Sequence, residues 1–149
     1  MYYYDLQVVF KEVPGEISLC FSISGCTLQC KGCHSPHLWK EGFGTKLTEN
    51  NYKELLEKYK KYASTVLFMG GEWHKKKLIK LLQIAKSYNY KTCLYTGEKE
   101  VSSEITNELT WLKTGEWITE LGGLNDQNTN QKFIDIKTNT NQNHLFIKT

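Results

Sequence analysis

The sequence contains no arginine; all 19 of its basic residues are lysines, against 16 acidic ones. Nucleic-acid sites draw on the planar guanidinium for bidentate and stacking contacts. With a net charge of only +3 and lysines that are scattered, the sequence argues against a nucleic-acid partner. The one cluster, Lys75-Lys76-Lys77, reads as a solvated helix face. No apolar run approaches the roughly 18–20 residues of a membrane span. The first residues, Met1-Tyr2-Tyr3-Tyr4-Asp5, lack the basic flank and apolar stretch of a secretory signal. These absences lead us to expect a cytoplasmic protein with no membrane partner. No linker composition divides the 149 residues, so a single domain over 1–149 is expected.

An even set of cysteines is also lacking. Five are present, so they cannot all pair within one chain. Cys20 and Cys93 stand alone in apolar surroundings and read as core residues. Cys26, Cys30 and Cys33 crowd into eight residues. In a reducing compartment such crowding points to metal rather than disulfides.

What is there is an alternation of strand-like and helix-like segments. Ile17, Leu19, Phe21 and Ile23 alternate with Ser18, Cys20, Ser22 and Ser24, which predicts a strand with one apolar face and one face of small residues. Thr48 is a helix N-cap with Glu49 in the first turn. Tyr52, Leu55, Leu56, Tyr59 and Ala63 then follow at helical spacing. Thr65–Met69 is a short apolar run that predicts a buried strand. His74–Ser87 is a second helix with Leu78, Leu81, Leu82 and Ala85 as its stripe. Thr92–Tyr95 is a further strand, a short helix follows Ser103, and Trp111–Thr114 is a weaker strand. Lys132–Lys137 and His144–Lys148 are expected to close the chain as a hairpin.

Strands alternating with helices imply crossover units. The expected fold is α/β: an open partial (β/α) barrel of about four βα units with a mainly parallel sheet. A closed eight-unit barrel needs about 250 residues. Ligands of such sheets bind beyond the carboxyl ends of the strands. The cysteine loop, Gly70-Gly71-Glu72, Thr96-Gly97-Glu98 and Gly115-Glu116 each follow a strand, so one edge gathers them all.

The loop Gly25-Cys26-Thr27-Leu28-Gln29-Cys30-Lys31-Gly32-Cys33-His34 has the spacing C-x₃-C-x₂-C. Structural zinc usually needs four protein ligands, commonly in two paired knuckles. The second knuckle is missing, and only His34 or His37 is near enough in sequence to replace it. Three thiolates suit three irons of a cubane cluster and leave the fourth iron open to a small molecule. Cluster and zinc both stay open on spacing alone.

That loop, placed after a strand, resembles the radical S-adenosylmethionine superfamily. More narrowly, the chain resembles the activating proteins of anaerobic ribonucleotide reductase. The stretches that carry this are Glu12-Val13-Pro14-Gly15, Ser24-Gly25-Cys26, Gly32-Cys33-His34-Ser35-Pro36, Met69-Gly70-Gly71-Glu72, Tyr95-Thr96-Gly97 and Thr129-Asn130-Gln131. The resemblance implies that Cys26, Cys30 and Cys33 ligate a [4Fe–4S] cluster and that S-adenosylmethionine binds its open iron. It implies that an electron from the cluster yields a 5′-deoxyadenosyl radical, which takes hydrogen from a glycine of the reductase. It places Gly70, Gly71 and Glu72 at the methionine amino group, and Gly32 and His34 against the adenosyl part. Trp73 stands where the superfamily usually has proline. The implied partners are anaerobic ribonucleotide reductase and an electron donor such as flavodoxin or ferredoxin. Activation of another glycyl-radical enzyme, such as pyruvate formate-lyase, is the related alternative. A zinc- or cluster-binding interaction module is the alternative outside enzymes. Lys113 reads as a surface lysine, with the ligand carboxylate as its other possible contact.

Overall fold

The computed structural model describes residues 1–25 and 42–147. Eight strands form one sheet: β1 (Tyr2–Val9), β2 (Ser18–Ile23), β3 (Thr45–Lys46), β4 (Thr65–Met69), β5 (Lys91–Tyr95), β6 (Trp111–Thr114), β7 (Lys132–Asp135) and β8 (Thr140–Asn141). Their order across the sheet is β3-β1-β2-β4-β5-β6-β7-β8. Helix α1 (Glu49–Tyr59) lies in sequence between β2 and β4, α2 (Lys75–Ser87) between β4 and β5, and α3 (Ser103–Thr106) between β5 and β6.

This corrects the expected sheet. It is mixed, not mainly parallel: β2, β4, β5 and β6 run parallel, whereas β1 with β2, β1 with β3, β6 with β7 and β7 with β8 are antiparallel. The cause is local. Parallel neighbours need a crossover, which α1, α2 and α3 provide. The links from β1 to β2 and from β7 to β8 are short turns, which permit only antiparallel pairing. Three crossovers are therefore present where about four units were expected. The terminal hairpin is also different. Its second strand is Thr140–Asn141, and Asn143–Phe146 forms a 3₁₀ turn where a strand was expected. Asn139 takes a left-handed conformation that tightens the turn. Asn143 then ties the segment down: its Nδ2 donates to Gln131 O at 2.8 Å and its Oδ1 accepts from Phe133 N at 2.8 Å.

Alternation along the strands separates two cores. On the helix-bearing face Leu19, Phe21, Val66, Phe68 and Leu94 are fully buried with Leu56, Leu78, Leu81 and Leu82 from the helices. Phe21 stacks on Phe68 with ring centroids 5.4 Å apart. Two buried tyrosines keep their hydroxyls satisfied by helix carbonyls, Tyr52 donating to Leu81 O at 2.9 Å and Tyr90 to Leu56 O at 2.6 Å. On the other face Cys20, Leu67, Cys93 and Phe133 pack with Val13 and Leu124. Burial pushes the Cys20 thiol up to about 12, so it stays protonated as a small apolar group.

Helix α1 starts where the sequence indicates. Thr48 Oγ1 accepts from Asn51 N at 3.1 Å, and Asn51 Oδ1 accepts in return from Thr48 N at 2.9 Å. This reciprocal pair satisfies two donors that the first turn would otherwise leave open. Among the described residues no helix is long and apolar enough to cross a membrane.

Candidate functional site

The four parallel strands end at one level. Ser22 pairs with Met69, Met69 with Tyr95, and Tyr95 with Lys113. Beyond that line the backbone leaves the ladder as glycine-containing loops. Three hydrogen bonds carry the pairing past the strand ends: Gly70 N to Tyr95 O at 2.9 Å, Thr96 N to Lys113 O at 2.9 Å and Gly115 N to Glu98 O at 2.8 Å. The loops after β4, β5 and β6 are thus joined side by side. Ser24 and Gly25, buried after the end of β2, lie at the same edge and precede the cysteine loop in sequence. Cys26, Cys30, Gly32, Cys33, His34 and His37 lie outside the described residues.

Two glycines set the shape of this edge. Gly70 has φ +85°, and a Cβ there would stand 2.6 Å from the Trp73 ring. Gly115 has φ +99°, and a Cβ would meet Asn130 O and Gln131 Cα at 3.0 Å. Only glycine tolerates both the positive φ and such approach. The segment before β7 can therefore lie directly on the loop after β6. Asn130 Nδ2 reaches across it to Glu116 O at 3.1 Å.

Glu72 sits on the loop after β4. Its Oε1 accepts from the Thr96 hydroxyl at 2.6 Å. Its Oε2 is shielded from solvent and has no side-chain or backbone partner from another residue among those described. Burial pushes its carboxyl above the usual range; the Thr96 hydroxyl, the backbone N–H of Glu72 itself and, most weakly, Lys113 oppose this, while Glu98 adds to it. A half-buried carboxylate with one oxygen held by a hydroxyl and the other shielded from solvent is an acceptor prepared for a cationic donor.

Lys113 is not at the surface. It is 9 % exposed, the one charged side chain among the buried described residues. Its Nζ donates to Gly115 O at 2.8 Å and Thr96 O at 3.3 Å, and lies 5.9 Å from the Tyr95 ring centroid. The sequence favours a surface position for Lys113 over its possible contact with a ligand, and does not single out Thr96 as a site residue. A signal was present in the repeated Thr-Gly-Glu at Thr96-Gly97-Glu98 and Thr114-Gly115-Glu116. The two copies occupy adjacent strand ends, joined by the bond from Gly115 N to Glu98 O.

Next to this network is a cleft of about 690 Å³ lined by Gly97, Glu98, Glu100, Gly115, Glu116 and Asn130, among others. Its size suits a small molecule or a stretch of extended peptide. The buried Asn130 Oδ1 has no hydrogen-bond partner among the described residues. Among the described residues no group of three His, Cys, Asp or Glu side chains is gathered to hold a metal ion.

The family model described as a 4Fe–4S single cluster domain matches residues 14–144, a span that includes all three cysteines of the loop. The chain belongs to this 4Fe–4S single cluster domain family, and its cofactor class is iron–sulfur. Neither the curated proteins nor the solved structures give a match to the chain.

Proposed function

We propose that this protein is a radical S-adenosylmethionine enzyme that activates anaerobic ribonucleoside-triphosphate reductase by placing a radical on one of its glycines. The observation that carries the reading is the open Oε2 of Glu72, buried at the sheet edge where β2 ends, just before the cysteine loop in sequence. The primary ammonium of the methionine end is the class of donor that such an oxygen takes.

In this reading the sheet is a partial (β/α) barrel. Cys26, Cys30 and Cys33 hold the [4Fe–4S] cluster, and the fourth iron takes S-adenosylmethionine. When bound, the cluster and S-adenosylmethionine supply one-electron chemistry, in which reductive cleavage of the sulfonium is followed by removal of hydrogen from a glycine Cα. Glu72 accepts from the ligand's ammonium. The backbone of Gly70 and Gly71 passes close to the methionine end because neither residue has a side chain to hold it off. Gly32 and His34 face the adenosyl part. No residue of the chain acts as acid or base, because hydrogen leaves as an atom rather than a proton. Among the described residues the sheet ends at β3 and β8 without closing on itself. A loop of a large partner can then approach the cofactor edge, and docking supplies the proximity that the reaction needs. The electron comes from a donor such as flavodoxin or ferredoxin.

The test is anaerobic activation of the reductase by the reconstituted protein with S-adenosylmethionine and reductant, read by electron paramagnetic resonance. The expected result is a glycyl doublet that is lost when the reductase's radical-site glycine is changed to alanine. A doublet only on another glycyl-radical enzyme, such as pyruvate formate-lyase, would reassign the partner. About four irons and four sulfides per chain are expected; zinc in their place would instead indicate an interaction module.

A further inference from the structure

A lysine buried beneath three loops invites a physical explanation. Removing an ammonium from water costs several kcal/mol unless good partners replace the solvent. An apolar side chain at position 113 would avoid that cost, and its neighbours on the same face, Tyr95 and Phe133, are largely apolar.

The contacts of Lys113 form a chain toward Glu72. Nζ donates to the carbonyls of Thr96 and Gly115, which end β5 and begin the loop after β6. Holding Thr96 O fixes the residue whose hydroxyl donates to Glu72 Oε1 at 2.6 Å. That hydroxyl oxygen also accepts from Glu98 N at 3.0 Å, so its proton is directed to Glu72 and nowhere else. Each link constrains the next, and the chain ends at the unpartnered Oε2. The loops after β4, β5 and β6 are thereby locked in one arrangement around one open acceptor.

We infer that Lys113 is a positioning residue: through Thr96 it orients the Glu72 carboxylate toward a primary ammonium on the ligand. The inference rests on the S-adenosylmethionine reading for the identity of the ligand, but not for the coupling between Lys113 and Glu72. The charged groups that act on Glu72 are Glu98, which opposes its ionisation, and Lys113, which favours it.

The experiment has two arms, both on full-length, cluster-loaded protein. In the first, S-adenosylmethionine and an analogue lacking the amino group are titrated calorimetrically into wild type, Lys113→Met and Thr96→Val. Lys113→Met is expected to weaken S-adenosylmethionine by roughly tenfold and to leave the analogue nearly unaffected. Thr96→Val should act in the same direction, and the double variant should lose less than the sum. Equal loss for both ligands, or no loss for either, overturns the inference. The second arm needs no ligand. Infrared spectra of ¹³C-carboxyl-glutamate protein, with Glu72→Gln as the difference reference, follow the ionisation of Glu72. In Lys113→Met the protonated band should persist to higher pH than in wild type. An unchanged titration overturns the inference whatever binds. If wild type ignores S-adenosylmethionine while the titration still moves, the coupling stands and the enzymatic reading falls. Should Lys113→Met fail to fold, Lys113→Gln is read in the same two arms.

Discussion

The Thr96 hydroxyl donates to Glu72 Oε1 across 2.6 Å, so two residues 24 apart in sequence make one unit at the ends of β4 and β5. The bond leaves one carboxylate oxygen committed and the other open. The resulting environment gives Glu72 a measurable signature.

Glu72 should make the fold weaker as pH rises. Its folded-state pKa is raised above the ordinary 4.5, mainly by burial. The folded state therefore binds more protons than the unfolded chain in that window. By linkage, the stabilisation is fully present below about pH 4.5 and is lost as pH rises through the higher folded value. Glu72→Gln should flatten this part of the stability profile and leave the protein at least as stable at pH 7, while weakening binding of S-adenosylmethionine. Chemical denaturation across pH 4–8, as a rough working range, checks the first effect, and calorimetry the second. A profile that Glu72→Gln does not change would show that the carboxyl is not desolvated as described.

Gly71 has φ +106°, and a Cβ there would meet Ile23 and Met1 at an ordinary contact distance of 3.5 Å. Gly71→Val therefore meets a backbone obstacle rather than a clash. A β-branched residue forced into that region costs about 1–3 kcal/mol. The loop is expected to relax toward negative φ and move Glu72 away from Thr96. Iron content should stay at the wild-type level while affinity for S-adenosylmethionine falls. Unchanged affinity would remove Gly70-Gly71-Glu72 from the site.

The cysteines should divide three and two. Replacing Cys26, Cys30 or Cys33 by alanine should abolish the iron and the broad absorbance near about 400 nm after anaerobic reconstitution, since three thiolates leave no spare ligand. Cys20 and Cys93 are buried and their thiols are pushed up by desolvation. Alanine at either should keep the cluster and cost about 1 kcal/mol of packing. Native, cluster-free protein treated with iodoacetamide should gain three labels, and five only after denaturation. Full cluster occupancy in any of the first three variants would overturn the ligand assignment.

Tyr52 gives a control on the helix side of the sheet. Its ring packs near Phe21 and Phe68, and its hydroxyl donates to Leu81 O. Tyr52→Phe keeps the ring and removes one buried donor. A loss of about 1 kcal/mol is expected, with no change in ligand affinity. A loss of affinity would mean that α1 and the cofactor edge are mechanically coupled.

The sequence made some elements readable and hid others for identifiable reasons. Helix α1 is marked by Thr48 and by the spacing of Tyr52, Leu56 and Tyr59. Strands β2, β4, β5 and β6 are short runs whose alternation or β-branching survives in the structure. Strand β1 is obscured because Tyr2–Val9 is only partly buried along its length, so no clean alternation of apolar and polar residues exists to find. The last hairpin is misread because Leu145 and Ile147 look like strand residues. The contacts that decide the segment come instead from Asn143 and from the tight turn at Asn139. At the site, Glu72 and its glycines were legible as a motif. Lys113 was not, because one lysine among 19 carries no mark of burial until the strands that cover it are in place.

The outer strands of the sheet, β3 and β8, are two residues each. A longer flat edge would offer a row of free amides and carbonyls on which another chain could lay a strand. Strand β1 pairs with β3 only at Tyr2 and Tyr3, so beside Tyr4–Val9 it has no strand on its outer side among the described residues. Strand addition is thus open to that stretch of β1 as a mode of association. A partner at the loop-bearing ends of β4, β5 and β6 meets loops and side chains instead, which can be remodelled one residue at a time without disturbing the hydrogen-bond ladder beneath. Specificity for one partner or another can therefore drift at the rim of this domain while its architecture stays the same.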